Sequence, residues 1–114
     1  MREPARDKER LQHMLDAINN IHEFTDNVSR EQLFADKMRY YAVVKNVEII
    51  GEAANMLSFE FRESHTELPW KAIVDMRNVI VHDYINIHED LLWDTIQNDI
   101  KFLETQLSRY INSL

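Results

Sequence analysis

Residues that interrupt helices and build tight turns are almost absent from this sequence. Its 114 residues include one glycine, Gly51, and two prolines, Pro4 and Pro69. Hairpins and tight turns depend on such residues, whereas strong helix formers such as Leu, Ala, Glu, Lys, Met and Arg are plentiful here. A chain of this length fits one domain with a single core. We therefore predict one all-α domain that covers residues 1–114.

Apolar residues at three- and four-residue steps predict four or five helices, packed as a compact up-down bundle. The first predicted helix covers residues 7–24. Ser29 and Gln32 match a capping box, which starts a short second helix. The next helix covers residues 37–57 and is apolar around much of its circumference, so we expect it at the centre of the bundle. Gly51 in that helix would let a neighbouring helix approach its backbone closely.

The second half of the chain is predicted as a loop followed by two helices. Polar residues dominate from 58 to 68, which predicts the loop. Pro69 suits the first turn of a helix that runs from Trp70 toward residue 84. The last helix is predicted to begin near Asn86, whose side chain would cap it together with Glu89.

The composition restricts the ligands and the location that we expect. A formal net charge of -7 opposes strong, non-specific binding to RNA unless positive charge is concentrated locally. The lack of cysteine excludes disulfides and thiolate metal sites. No apolar run approaches the roughly 18 residues of a membrane span, and residues 1–7 lack the apolar core of a signal sequence. We therefore expect a cytoplasmic protein without membrane contact.

The segment 77–84 contains three residues whose side chains can take part in catalysis or binding, Arg77, His82 and Tyr84. A guanidinium can hold a phosphate with two parallel hydrogen bonds, and an imidazole can transfer a proton near neutral pH. On an ideal helix at about 100° per residue, Tyr84 lies within roughly 20° of Arg77, but His82 lies about 140° away. Either the helix ends before His82, as the β-branched residues 79–81 would permit, or a second protomer supplies part of the site.

These residue types suit cleavage of RNA without a metal ion. The 2′-hydroxyl attacks the adjacent phosphorus, so a base must take its proton and an acid must protonate the leaving 5′-oxygen. His82 can fill one of these roles, and Arg77 can stabilise the charge on phosphorus. A single histidine cannot be acid and base in the same step. Two copies of His82 across a dimer cleft would complete the set.

Structural interpretations of the same residues remain open from spacing alone. Arg77 could bind helix-end carbonyls or Asp75, His82 could be a half-buried histidine with satisfied hydrogen bonds, and Tyr84 could be a packing residue. Glu48 and Glu52 are spaced for a metal or an acid–base pair, although a buried or capping pair is favoured. The remaining histidines are expected to be solvated and to bind no metal. They are His13, His22, His65 and His88.

The motif Arg77-x4-His82-x-Tyr84 occurs with three flanking blocks. These are Glu-Ile-Ile-Gly-Glu-Ala-Ala at 48–54, Leu-Pro-Trp-Lys at 68–71 and Leu-Leu-Trp-Asp-Thr-Ile-Gln-Asn-Asp at 91–99. In this order and at these separations, the blocks closely resemble the HepT-like branch of the HEPN superfamily over nearly the whole chain. The resemblance implies a helical bundle that dimerises through its motif-bearing helices. It also implies an RNA-cleaving toxin, paired with an MntA-like nucleotidyltransferase antitoxin that transfers AMP to the motif tyrosine.

Carried over residue by residue, the resemblance makes Arg77 and His82 catalytic and Tyr84 the AMPylated position. Asn78 matches the polar residue that commonly follows the family arginine, and so has a supporting role. No cofactor and no metal are implied. The alternative function is a non-catalytic HEPN module, in which the same pocket binds a nucleotide or docks the nucleotidyltransferase.

Overall fold

Helices account for most of residues 6–82 and 86–114, the part of the chain that the computed structural model describes. The only pairing of extended backbone in these ranges is one isolated β-bridge, between Val81 and Ile87. The all-α prediction is therefore confirmed. The helices are α1 (Asp7–Thr25), α2 (Arg30–Ala35), α3 (Lys37–Met56), α4 (Phe59–Ser64), α5 (Trp70–Ile80), α6 (Glu89–Asp94) and α7 (Ile100–Asn112), with a π-helical turn (Thr95–Asp99) joining α6 to α7.

The core lies between α1, α3, α5 and α7, because α1 packs against α3 and α7, and α3 packs against α5. Fully buried side chains from α1 and α3 fill its centre, and each such Leu, Ile or Met contributes about 1.5–3 kcal/mol relative to exposure. The central side chains of the core include Leu11, Met14, Ile18, Val43, Val47 and Ile50.

Within residues 6–82 and 86–114, no helix has both the length and the apolar composition needed to cross a membrane.

The predicted boundaries of the first three helices agree with the structure to within about two residues, which is the usual uncertainty of helix ends. Asn27, just beyond α1, has a φ of 55°, in the left-handed region that asparagine tolerates. The predicted capping box is present at the start of α2. Ser29 Oγ accepts from the Gln32 N–H, and the Gln32 side chain accepts from the Ser29 N–H.

The predicted loop at 58–68 is wrong in its first half, which forms α4. Ser58 caps this helix, because its Oγ accepts a hydrogen bond from the Phe61 N–H at 3.1 Å. The cap depends on Asp7, whose buried carboxylate accepts from the Ser58 N–H at 2.8 Å and from the Ser58 hydroxyl at 2.6 Å. Asp7 therefore ties the first turn of α1 to the start of α4.

The predicted cap of the last helix is also wrong. α6 begins at Glu89, and its cap is His88, whose Nδ1 accepts from the Leu91 N–H at 3.3 Å. Asn86 lies further back, and its carbonyl oxygen accepts a hydrogen bond from the His82 N–H at 2.9 Å. Asn86 is thus part of the β-bridge segment, and the cap of the helix lies two residues later than predicted, at His88.

The contact between Asp7 and Ser58 gives a test of the fold. We expect Asp7→Ala to lower the free energy of unfolding by about 2 kcal/mol, because a buried N–H and a buried hydroxyl lose their acceptor. Urea unfolding followed by circular dichroism measures the change. Asp16→Ala is the control, since Asp16 is exposed on the same helix and its carboxylate accepts a hydrogen bond from the exposed Gln12 side chain. Equal losses for the two variants would contradict the importance of the buried contact.

Candidate functional site

Arg77 lies on the last turn of α5, opposite α3. The two helices approach closely at Gly51, where an added Cβ would lie 3.0 Å from the Val74 carbonyl oxygen and 3.2 Å from that of Ile73. One turn away from this contact, Arg77 Nε lies 3.6 Å from Glu48 Oε2. The Arg77 side chain remains 42% exposed, so a ligand can reach it.

Two neighbours orient the Arg77 guanidinium. Nη1 donates to Asn78 Oδ1 at 3.3 Å, while Nε faces Glu48. Among the described residues, these contacts replace the predicted alternatives for Arg77, which were helix-end carbonyls and Asp75. Asn78 is itself exposed, and its supporting role stays a prediction.

The helix ends before His82, as the first of the two alternatives that the spacing left open requires, and a contribution from a second protomer stays a prediction. Ile80 is the last residue of α5, and Val81 is extended, with φ −94° and ψ 101°. The angular positions of an ideal helix therefore do not apply to residues beyond Ile80. The predicted location of Tyr84 above Arg77 assumed that the helix continued, so this argument fails. Tyr84 lies outside the described residues.

Backbone hydrogen bonds fix the chain at His82, while the His82 side chain is exposed. Its N–H donates to the Asn86 carbonyl at 2.9 Å, and the His88 N–H donates to the Ile80 carbonyl at 2.7 Å. These bonds flank the Val81–Ile87 bridge and fix the chain just beyond α5. The His82 side chain is exposed, so it is not the half-buried histidine of the structural alternative. An exposed imidazole is available for proton transfer to a bound ligand.

Glu48 and Glu52 do not form the buried or capping pair that was favoured. Glu48 Oε1 lies 3.2 Å from Lys45 Nζ, and its other oxygen faces Arg77. Glu52 is exposed on the same helix, one turn further on. Sequence reasoning missed the link from Glu48 to Arg77, although both belong to the motif blocks. The local balance is two cations around one carboxylate, in contrast to the acidic average of the chain.

The other histidines have structural contacts, and two of them are less solvated than predicted. His22 Nε2 pairs with Glu104 Oε1 at 2.9 Å, and His65 stacks on Phe61 with ring centroids 3.9 Å apart. Within the described ranges, no three His, Asp or Glu side chains come together as a metal site. Independence of a metal stays a prediction for experiment.

An apolar groove of about 500 Å³ runs beside the site, between α5 and the segment from α6 to α7. Val79 and Phe102, which are 59% and 53% exposed, contribute to its lining. The π-helical turn adds Asn98 and Asp99, and burial raises the pKa of Asp99, with a smaller contribution from the charge of Asp94. The apolar periodicity predicts a single last helix, and it did not reveal the π-helical turn whose residues contribute to the groove.

Comparisons with known proteins agree with the motif blocks. The family described as ribonuclease HepT-like matches residues 14–110. A protein of Thermococcus cleftensis named "Probable ribonuclease HepT" is 33% identical over 102 residues, which cover 90% of this chain and 93% of the relative. A "Putative RNase" of Caldanaerobacter subterraneus subsp. tengcongensis is 36% identical over 101 residues, which cover 89% of this chain and 90% of the relative.

A third relative is a longer protein. It comes from Methanocaldococcus jannaschii, is named as a gamma-glutamylcyclotransferase and "putative RNase", and is 33% identical over 104 residues. The match covers 91% of this chain but 47% of the relative, so the chain spans about half of that protein's length. No solved structure matches the chain significantly.

Proposed function

The chain belongs to the ribonuclease HepT-like family, and we propose that it is a metal-independent endoribonuclease toxin that acts in the cytoplasm. Membership confirms the predicted family and the predicted class of enzyme, a ribonuclease. The observation that carries the proposal is the end of α5. There, the half-exposed Arg77 lies on the last turn of the helix, and the exposed His82 is the second residue beyond the end of the helix.

The proposed chemistry assigns one role to each side chain. Arg77 binds the scissile phosphate and stabilises the charge that builds on phosphorus as the 2′-hydroxyl attacks. One His82 takes the proton of the 2′-hydroxyl, and a second His82 protonates the 5′-oxygen that leaves. The products are a 2′,3′-cyclic phosphate and a free 5′-hydroxyl. Neither role calls for a metal ion, which is the basis for proposing metal independence.

The need for two imidazoles supports a homodimer. The apolar groove adjoins the motif-bearing helix, and its exposed Val79 directly follows Asn78 in the chain. Apolar surface of this kind, beside polar residues, is typical of protein–protein contacts. We propose that a second copy covers the groove and that the two-fold contact brings both His82 side chains to one cleft.

The proposed regulation acts on Tyr84, through an MntA-like nucleotidyltransferase that transfers AMP to its hydroxyl. Tyr84 lies outside the described residues, so its sequence position carries the argument, two residues beyond His82. In the sequence, Tyr84 lies between His82 and Asn86, and a backbone hydrogen bond joins these two residues. A nucleotide attached two residues beyond His82 would bring bulk and negative charge close to this imidazole and would compete with the substrate phosphate.

The second candidate function is a non-catalytic module that binds a nucleotide or docks the nucleotidyltransferase. The acidic net charge of -7 favours this function, because an acidic surface repels RNA. The exposed His82 favours the nuclease, because a docking surface has no need of a proton-transfer group. Cleavage assays on variants separate the two functions.

Replacement of either Arg77 or His82 by alanine should reduce RNA cleavage by about a hundredfold or more, because each removes a group that acts in the transition state. Initial rates on a labelled RNA oligonucleotide measure the effect, and EDTA should leave the wild-type rate unchanged. His13→Ala and Arg10→Ala are the controls, since both residues lie on α1, away from the motif. Activity that disappears with EDTA, or survives His82→Ala, would refute the proposed chemistry.

The dimer is tested at the groove. We expect Phe102→Asp to convert the protein from a dimer to a monomer, and to lower cleavage with it, because a charge cannot be buried in an apolar contact without a partner. Light scattering after gel filtration at tens of micromolar gives the mass. Phe59→Asp is the matched control, because Phe59 is 60% exposed but does not line the groove. A wild-type monomer would rule out the shared cleft.

Co-expression with a nucleotidyltransferase encoded beside this chain tests the regulation. Wild-type protein should gain the mass of AMP and lose nuclease activity without unfolding, whereas Tyr84→Phe should gain no AMP because the acceptor hydroxyl is missing. Tyr41→Phe is the control, since Tyr41 is an exposed tyrosine on α3. Intact-mass measurement with peptide mapping decides the outcome. AMP on a residue other than Tyr84 would contradict the assignment.

A further inference from the structure

We propose that Glu48 is a positioning residue for Arg77, one that holds the guanidinium in the orientation that receives the substrate phosphate. This inference deepens the proposed function and rests on it. Its basis is the ion pair between Glu48 Oε2 on α3 and Arg77 Nε on α5, with a separation of 3.6 Å.

The fold sets the location of this pair. α3 and α5 meet at Gly51 and the carbonyl groups of Ile73 and Val74. Glu48 lies one turn before Gly51, and Arg77 lies one turn after Val74, so the two helices run in opposite directions and the two side chains lie at the same level. A residue larger than glycine at position 51 would separate the helices at this point. The close backbone contact therefore lets a carboxylate on one helix reach an arginine on the other.

The pair restricts how the guanidinium can turn. Arginine has a long side chain with many rotamers, and two parallel hydrogen bonds to a phosphate require its plane to be aligned. Glu48 engages Nε, and Asn78 Oδ1 accepts from Nη1. An ion pair from one helix and a hydrogen bond from the other act on different nitrogen atoms, and together they restrict the plane of the group. Half-exposed ion pairs contribute little to folding stability, so the effect of this pair falls on orientation.

The other contacts of Glu48 distinguish positioning from direct catalysis. Oε1 lies 3.2 Å from Lys45 Nζ, and Oε2 faces Arg77, so both oxygens are engaged by cations. In this arrangement Glu48 acts through Arg77. Its negative charge also lies near the place where the substrate phosphate binds, and like charges repel. Removal of the charge should therefore favour substrate binding while it disturbs the orientation of Arg77.

The test compares Glu48→Gln with Glu52→Gln, the same change one turn further along α3 at an exposed position. We expect Glu48→Gln to lower kcat about tenfold, since a group misplaced by about 1 Å can reduce a rate up to a hundredfold. KM should stay unchanged or fall, and Glu52→Gln should leave both constants at the wild-type value. In an Arg77→Ala background, Glu48→Gln should cause no further loss, because residues that act as a unit are not additive.

Two further measurements exclude other roles. The pH profile of kcat/KM should keep its shape in Glu48→Gln, and loss of its acidic limb would overturn the proposal by making Glu48 a general base. The Nε–H resonance of Arg77 in a nitrogen–proton NMR spectrum should shift in Glu48→Gln and stay in place in Glu52→Gln. An unshifted resonance in Glu48→Gln would also overturn the proposal.

Failure of this inference is distinct from failure of the proposed function. A wild-type protein that cleaves no RNA, with Arg77→Ala indistinguishable from it, would refute the nuclease, and the Nε–H resonance would still test the contact. If the wild type cleaves RNA and Arg77→Ala is inactive, but Glu48→Gln matches Glu52→Gln in kcat, then the nuclease stands and the positioning role is refuted.

Discussion

The close approach of α3 and α5 at Gly51 determines where the candidate site lies. A Cβ at position 51 would lie 3.0 Å from the Val74 carbonyl oxygen and 3.2 Å from that of Ile73, so a larger residue there would push the two backbones apart. Because the helices meet there, the next turn of each helix brings Glu48 beside Arg77. The one glycine of the chain is therefore at the position that fixes the arginine, and the site depends on a backbone contact more than on any local motif.

The end of α5 is the second constraint, and it is made by backbone hydrogen bonds. The Val81 N–H still donates to the Arg77 carbonyl at 2.8 Å, but the next N–H, that of His82, turns to Asn86. β-Branched residues at 79–81 have modest helix propensity, and an antiparallel bridge gives their backbone another partner. This change of partner releases His82 from the helix and exposes its side chain near the end of α5 that carries Arg77.

The parts of the fold that depend on local contacts could be predicted from the sequence, and the parts that depend on long-range contacts could not. Periodic apolar residues and the Ser29–Gln32 capping box act within one or two turns, so α1, α2 and α3 were predictable. The start of α4 depends on Asp7, which lies 51 positions from Ser58 in the chain, and no local pattern reveals such a partner. The cap at His88 was missed for a similar reason, because the bridge across Val81 and Ile87 engages Asn86. In the site, the residue types of Arg77 and His82 indicated phosphate binding and proton transfer. The Glu48–Arg77 ion pair could not be predicted, because it depends on how α3 and α5 pack.

The charge distribution reconciles an acidic chain with a site for a polyanion. The net charge of -7 is an average over the whole surface, and it acts on RNA mainly at distances comparable to the screening length, about 8–10 Å at physiological salt. Within the cluster of Lys45, Glu48 and Arg77, two cations face one carboxylate. A second copy across the groove would double this local excess without changing the average per chain. An acidic exterior would weaken binding to RNA in general and would favour RNA that can place a phosphate directly beside Arg77. Selectivity of this kind follows from the arrangement of the charges, because every exposed acidic residue repels the same backbone that Arg77 attracts.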